Sequence, residues 1–259
     1  MDLKIAGKTA LVCASSDGLG HACAMALAEA GARVIMNGRD PEKLIQRSDA
    51  LRDQTGAEIV PVVADMNSGE GRAELLDAAG QVDILVNNNG GPPPRPWREL
   101  DREAIMAGID ANMLAAVAMI QATIDGMIER RFGRIVNITS AAVKMPMAGL
   151  ELSTAARSGL TGFVAGIARD VALANVTINT LLPGAFDTAR MQVIGNRIAA
   201  EKGLSVQQVL EAQASQIPAG RMGDPDEFGA TCAFLCSAHA GYITGQNILI
   251  DGGTYPGVN

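Results

Sequence analysis

The 259-residue chain is expected to fold as one α/β domain, built on a doubly wound, seven-stranded parallel sheet. Three observations carry that expectation. Short apolar runs alternate with helical patterns of roughly 10 to 20 residues along the whole chain. The apolar residues of those runs are nearly continuous rather than alternating, as in strands covered on both faces. No linker, repeat or charge block divides the rhythm, and βαβ units of this kind close with right-handed crossovers.

Taken in order, the strands are placed at Thr9–Ala14, Arg33–Asn37, Glu58–Val63, Ile84–Asn87, Arg134–Thr139, Thr177–Leu182 and Asn247–Asp251. Helical patterns fill the gaps at Leu19–Ala30, Pro41–Thr55, Gly71–Ala79, Ala111–Arg131, Ser153–Ala174 and Pro225–Ser237. Two helix starts are signposted. Asp40 before Pro41 reads as an N-cap followed by a first-turn proline, and Asp224-Pro225 with Glu227 three residues on reads as a capping box.

Composition narrows the function. Apolar residues make up 48% of the chain and 29 glycines supply tight turns, so a large core with many sharp connections is expected. The net charge of −7 has the wrong sign for a phosphate-backbone binder, and aromatic residues at 3% are too few for base-stacking platforms. No nucleic-acid partner is expected. Cys13, Cys23, Cys232 and Cys236 are read as reduced core thiols, and with two histidines in the chain no metal site is expected. The start Met1-Asp2-Leu3-Lys4 lacks a signal pattern, and the longest apolar run noted, Met113–Ile120, is far below spanning length. A cytoplasmic protein without a membrane partner is expected.

The first strand ends in Cys13-Ala14-Ser15-Ser16-Asp17-Gly18-Leu19-Gly20 and a helix follows at once. Glycines there let the backbone turn tightly and approach a pyrophosphate, which the free N–H groups of the helix start then receive. The segment Ala14-x-x-x-Gly18-x-Gly20 resembles the T-G-x-x-x-G-x-G turn of the short-chain dehydrogenase/reductase family, with alanine at the first glycine. Further marks come in that family's order: Asp65-Met66, Asn87-Asn88-Asn89-Gly90, Asn112, Ile138-Thr139-Ser140, Pro183-Gly184-x-x-x-Thr188, and Ile243-Thr244-Gly245 through Asp251-Gly252-Gly253. The likeness runs from about residue 6 to 254, and its implied fold is a single Rossmann domain with 3-oxoacyl-carrier-protein reductases among its relatives.

The resemblance implies a dinucleotide held by Ala14, Ser16, Gly18, Leu19 and Gly20 at the turn and by Arg39, Asp65 and Met66 around the adenosine. Toward the nicotinamide it implies Asn88, Asn89, Gly90, Thr139, Arg157, Pro183, Gly184, Phe186 and Thr188. It places Ser140 and Asn112 in the catalytic set, and counting on from Ser140 to the positions of the family's tyrosine and lysine gives Ser153 and Arg157. No tyrosine is misaligned, since the two present are Tyr242 and Tyr255.

That departure is chemical. In the family the tyrosine hands a proton to the carbonyl oxygen; a serine hydroxyl is several units less acidic, and each unit costs about 1.4 kcal/mol of driving force. Arginine stays protonated, so Arg157 is expected to hold ribose hydroxyls and a positive field without passing a proton. Lys144, Glu151 and Ser140 are the candidate replacements, and Asn112 the holder of a helix kink and an ordered water.

Cofactor choice is balanced. Gly38 stands where an acid would hold the ribose of NAD, and Arg39 offers a cation for the 2′-phosphate of NADP, which is favoured over NAD. Asp17, where many NADP-using relatives carry a base, counts against it. On the substrate side, the run Gly90 to Pro96 reads either as a rigid wall with Arg95 or Trp97 facing in or as a connector. A helical lid is implied between Thr188 and Ile217, where Arg190 and Arg197 could share a face toward an acidic substrate or could be solvated. The helices Ala111–Arg131 and Ser153–Ala174 are apolar over too much of their circumference for one face, which points to a homodimer or homotetramer. The leading expectation is an NAD(P)-dependent oxidoreductase that interconverts a small-molecule carbonyl and alcohol with an altered proton donor. A cofactor-binding protein without redox turnover, or a lyase or isomerase on the same fold, are the alternatives.

Overall fold

A computed structural model gives the structure of the chain and describes residues 1–92 and 95–257. Pro93 and Pro94, inside the proline run, lie outside the described residues. Seven strands form one all-parallel sheet in the order β3-β2-β1-β4-β5-β6-β7. They are β1 Thr9–Val12, β2 Arg33–Gly38, β3 Ile59–Val63, β4 Ile84–Asn87, β5 Gly133–Ile138, β6 Val176–Pro183 and β7 Asn247–Ile250. The order reverses direction between β1 and β4, where Leu11 lies level with both Ile35 and Leu85.

Strand alternation assigns the helices to two layers. Ala10 and Val12 of β1 join a core with α1 (Gly18–Glu29), α2 (Pro41–Thr55) and α9 (Pro225–Cys236), through Leu27, Leu44, Leu51 and Phe228. Leu11 and Cys13 face the other way, onto α3 (Gly69–Ala79), α5 (Ala115–Glu129) and α6 (Glu151–Val171), through Leu75, Met119, Leu160 and Val164. Both signposted starts hold: Asp40 accepts from the Lys43 N–H at 3.2 Å, and Asp224 and Glu227 form a reciprocal capping box.

The expected strand and helix ends move by three residues at most. The larger difference is the helix expected at Ala111–Arg131. The helical path starts earlier, as α4 (Arg102–Ile109) capped by Asp101, and passes through a π turn at Asp110–Leu114 into α5. Residues 102–129 thus make one run of 28 residues, long and apolar enough by length and composition to cross a membrane. Its inner side is a core surface instead: Ala115, Ala116, Met119, Ile120 and Met127 are buried on the sheet. Met113 and Val117 also pack against that core, so part of the all-round apolar character is explained within the chain. The segment after Thr188 holds α7 (Ala189–Lys202) and α8 (Val206–Ala214).

Candidate active site

In an open α/β sheet, ligands settle beyond the carboxyl ends of the strands where the strand order reverses, and here that point lies between β1 and β4. The turn after β1 is built to be tight. Ala14 takes a positive φ of 45° and Gly18 one of 56°. Gly20 is packed so closely that an added Cβ would lie 2.4 Å from the Ala14 carbonyl oxygen and 2.6 Å from Asn88 Nδ2. Gly18 has only the Thr188 side chain near, at 3.8 Å, so its surface remains open. Ser16 lies against Gly38, where a Cβ would meet its Oγ at 2.8 Å, while Leu19 is half-buried in the first turn of α1. The first N–H groups of α1 have no partner within the helix; that of Gly18 is taken by its cap, and those of Leu19 and Gly20, without a partner among the described residues, are available to an anion.

Asp17 caps α1 by accepting from the Gly18 N–H at 2.9 Å. Its carboxylate is ion-paired to Lys43 and lies 3.9 Å from Arg47, both on α2. Burial opposes the charge, but the Lys43 bond and the Gly18 N–H hold the Asp17 pKa below its ordinary value. The acid expected to weaken a phosphate field is therefore countered by two cations. Arg39, just past β2, is exposed and makes no ion pair among the described residues.

Three asparagines brace the far side. Asn87 Nδ2 donates to Asn137 Oδ1 at 2.9 Å, joining β4 to β5, and Asn88 Nδ2 donates to the Ala14 carbonyl at 3.1 Å. Asn89 Nδ2 donates to Asn67 Oδ1 at 2.7 Å and to the Ala111 carbonyl at 2.8 Å. Its own backbone carbonyl accepts from Arg157. Asp65 binds the Asn67 side chain and main chain, and Met66 is buried behind it. Asn112 sits in the π turn, buried, with its Nδ2 3.4 Å from the Gly90 carbonyl and its Oδ1 without a partner among the described residues. A cavity about the size of one water lies there, lined by Asn88, Asn89, Asn112 and Arg157. A buried acceptor beside such a cavity fits an ordered water.

At the end of β5, Thr139 is buried against β6, and Ser140 Oγ accepts from the Ala142 N–H at 3.1 Å, leaving its own O–H free to donate. One turn apart on α6, Arg157 Nε donates to Ser153 Oγ at 3.2 Å. Arg157 Nη1 reaches the Ile138 carbonyl at 2.9 Å and Nη2 the Asn89 carbonyl at 3.3 Å. Only 7% of the residue is exposed. Burial, then the neighbouring Arg190, lowers its pKa from 12.5 to about 10, so it is still charged near neutrality.

Other expected residues go elsewhere. Lys144 Nζ stands 5.9 Å over the Tyr255 ring, and Glu151 is exposed in the first turn of α6; among the described residues neither is bonded to Ser153 or Arg157. The Phe186 ring is buried edge-on against Phe228 at 5.3 Å and belongs to the core rather than to a cofactor surface. Trp97 is 57% exposed under the guanidinium of Arg98, and Arg95 is exposed, so neither side chain is buried against the crevice. Arg197 pairs with Glu201 at 3.7 Å. Pro183 and Gly184 close against β7, where a Cβ on Gly184 would meet Asp251 at 2.8 Å, and Thr188 caps α7.

A glycine turn, an open helix start and an asparagine-lined crevice at the reversal of a parallel sheet define a dinucleotide-dependent oxidoreductase of the Rossmann class. The chain belongs to the short-chain dehydrogenase/reductase family: residues 13–255 match the family model described as enoyl-(acyl carrier protein) reductase. It is similar to the 3-oxoacyl-[acyl-carrier-protein] reductase FabG of Vibrio cholerae, with 33% identity over 253 residues covering 98% of this chain and 99% of that one. Among solved structures it resembles L-sorbose reductase from Gluconobacter frateurii complexed with NADPH and L-sorbose, at a TM-score of 0.95 and 26% identity over the full length of both chains. It also resembles YwfH, an NADPH-dependent reductase involved in bacilysin biosynthesis, at a TM-score of 0.91 and 28% identity over 98% of this chain and 100% of that one.

Proposed function

We propose that the chain is a cytoplasmic NADPH-dependent reductase of a small carbonyl compound, with serine hydroxyls doing the work that a tyrosine does in its relatives. The observation that carries the proposal is the Arg157–Ser153 bond of 3.2 Å, at the family's lysine and tyrosine positions, with Arg157 also held to the Ile138 carbonyl two residues before Ser140. The open turn at Gly18, the cations around Asp17, and Arg39, unpaired among the described residues, fit a dinucleotide with a 2′-phosphate.

When bound, that cofactor supplies the hydride for the carbonyl carbon. The chain supplies the rest. Ser140 and Ser153 donate hydrogen bonds to the carbonyl oxygen, and the buried charge of Arg157, fixed by two main-chain carbonyls, favours the negative charge that develops there. Ser153 passes its proton to that oxygen and regains one from solvent. Arg157 remains a cation throughout, because even its lowered pKa of about 10 lies well above neutrality.

The test is NADPH oxidation with a panel of ketones, read for Ser153→Ala, Ser140→Ala and Tyr255→Phe. General acid catalysis is worth roughly 100- to 10,000-fold, so each serine change is expected to lower kcat plainly while Tyr255→Phe leaves it within twofold. Loss confined to Tyr255→Phe would move the proton to the phenol beside Lys144. NADPH binding with no oxidation by any ketone would replace the enzyme with a cofactor-binding protein without turnover.

The outer faces of α4 to α6 support a homodimer or homotetramer. Ile105, Met106, Leu114 and Ile128 are 36 to 44% exposed, and Gly162 and Gly166 on α6 leave open space for a second helix.

A further inference from the structure

Two arginines from distant parts of the chain converge on one point at the mouth of the crevice. A Cβ placed on Gly91 would lie 3.3 Å from Arg190 Nη2, 3.5 Å from Arg190 Nη1 and 3.7 Å from Arg157 Nη2. Like charges brought together cost free energy unless something negative lies between them. No carboxylate among the described residues lies within 4.0 Å of either guanidinium. Arg157 bonds only neutral oxygens, those of Ser153, Ile138 and Asn89. Arg190 makes no hydrogen bond or ion pair among the described residues.

The setting adds to the imbalance. Arg190 is the second residue of α7, where the helix dipole is positive and an acid would be the stabilising choice, yet the first turn has none. Arg197, further along the same helix, shows the ordinary arrangement, paired to Glu201 one turn on. In a chain of net charge −7 with 28 acidic residues, an arginine pair left without one is a local exception. Gly91 itself keeps the point open, because any side chain there would occupy the space between the two cations.

We infer that Arg157 and Arg190, across Gly91, form the receptor for an anionic group on the substrate, a carboxylate, so that the reductase acts on oxo acids. The inference rests on the reductase reading for the occupant's carbonyl but not for its charge. A carboxylate bridging both guanidiniums would hold the substrate from the side of α7 and turn its carbonyl toward Ser140 and Ser153. Arginine suits this task because its planar fork meets a carboxylate with two parallel N–H bonds. The alternative source of the same chemistry is a phosphate of the dinucleotide, and the experiment separates the two.

Binding of 2-oxobutanoate and 4-oxopentanoate, each beside its methyl ester, would be measured by calorimetry on the full chain loaded with NADPH or NADP⁺. At least one acid is expected to bind roughly tenfold or more tightly than its ester, as a charge-assisted pair allows. Arg190→Gln, at an exposed position that the fold does not need, should abolish that preference while NADPH affinity and Tm stay unchanged; Arg190→Lys should restore part of it. Equal binding of acids and esters, or no binding of either acid at millimolar concentration, would overturn the inference. Loss of NADPH affinity in Arg190→Gln to the same degree would assign the pair to the cofactor's phosphate and overturn it as well. Selective acid binding without NADPH oxidation would keep the anion receptor and remove the reductase reading instead.

Discussion

The Asn88 carboxamide donates to the Ala14 carbonyl across 3.1 Å and so ties the end of β4 to the turn that opens α1. That bond spans the point where strand order reverses, and Gly20 is the residue that leaves room for it. The dinucleotide crevice thus depends on a missing side chain as much as on any present one.

Gly20→Ala is expected to break this arrangement, since the new methyl would stand 2.4 Å from Ala14 O and 2.6 Å from Asn88 Nδ2. Overpacking of this kind costs about 1–3 kcal/mol, and thermal unfolding should show a Tm lower by several degrees with NADPH affinity weakened. Ala14→Gly is the counterpart. Relief of a positive φ is worth about 1–2 kcal/mol against an entropy cost of about 0.5–1 kcal/mol for glycine. Stability should hold or rise slightly. A clear drop would contradict the strain assigned to the φ of 45°.

Arg39→Ala should weaken NADPH binding about tenfold and leave NADH nearly unchanged, because the exposed guanidinium has no ion-pair partner to lose among the described residues. Fluorescence titration of both cofactors reads this directly. Equal weakening for the two would remove the phosphate role from Arg39.

The four cysteines should resist thiol reagents in the folded protein. All are free and buried, and burial pushes the Cys13 pKa from 9.0 to about 12. The Cys232 and Cys236 thiols are also pushed up, each first by a hydrogen bond to a neighbouring thiol and then by burial. At pH 8 a thiol of pKa near 12 is ionised in about one molecule in ten thousand, so an Ellman assay should find no fast-reacting group until denaturant is added. A rapid native reaction would show that the packing between α1 and α9 opens readily.

Light scattering at micromolar concentration should give two or four times the chain mass of 26.8 kDa. Leu114→Arg, on the exposed side of the π turn at 44% exposure, should shift the population toward monomer without unfolding it. A wild-type monomer would leave the apolar outer face of α4 to α6 without the partner proposed for it.

Much of this molecule was legible from residue order. Continuous apolar runs such as Ile84–Asn87 fall on strands, because a strand buried on both faces needs no alternation. Asp40 and Asp224 announced their helices, since a cap is a local bond between near neighbours. The family marks gave the order of the turn, the asparagines and Ser140 along the chain. The π turn was less legible, though Asn112 was read as its kink: one extra residue in a helical ladder leaves no periodic trace, and the segment before it, α4, is mostly charged and polar at its start.

Which side chains meet was settled by packing. Residue order left Asp17 as an argument against a phosphate; the fold brought Lys43 and Arg47 from α2 to its carboxylate. The family likeness implies Phe186 for the cofactor, whereas its ring lies in the core against Phe228. Arg190 and Arg197 stood as equals along the chain until α7 turned one to Glu201 and the other toward Gly91 and Arg157. Periodicity and capping are short-range consequences of backbone geometry, so the sequence by itself determined the class of fold and the run of its elements. Convergence of charges 33 residues apart in number, Arg157 and Arg190, depends on how layers stack on the sheet, and only the tertiary structure decided it.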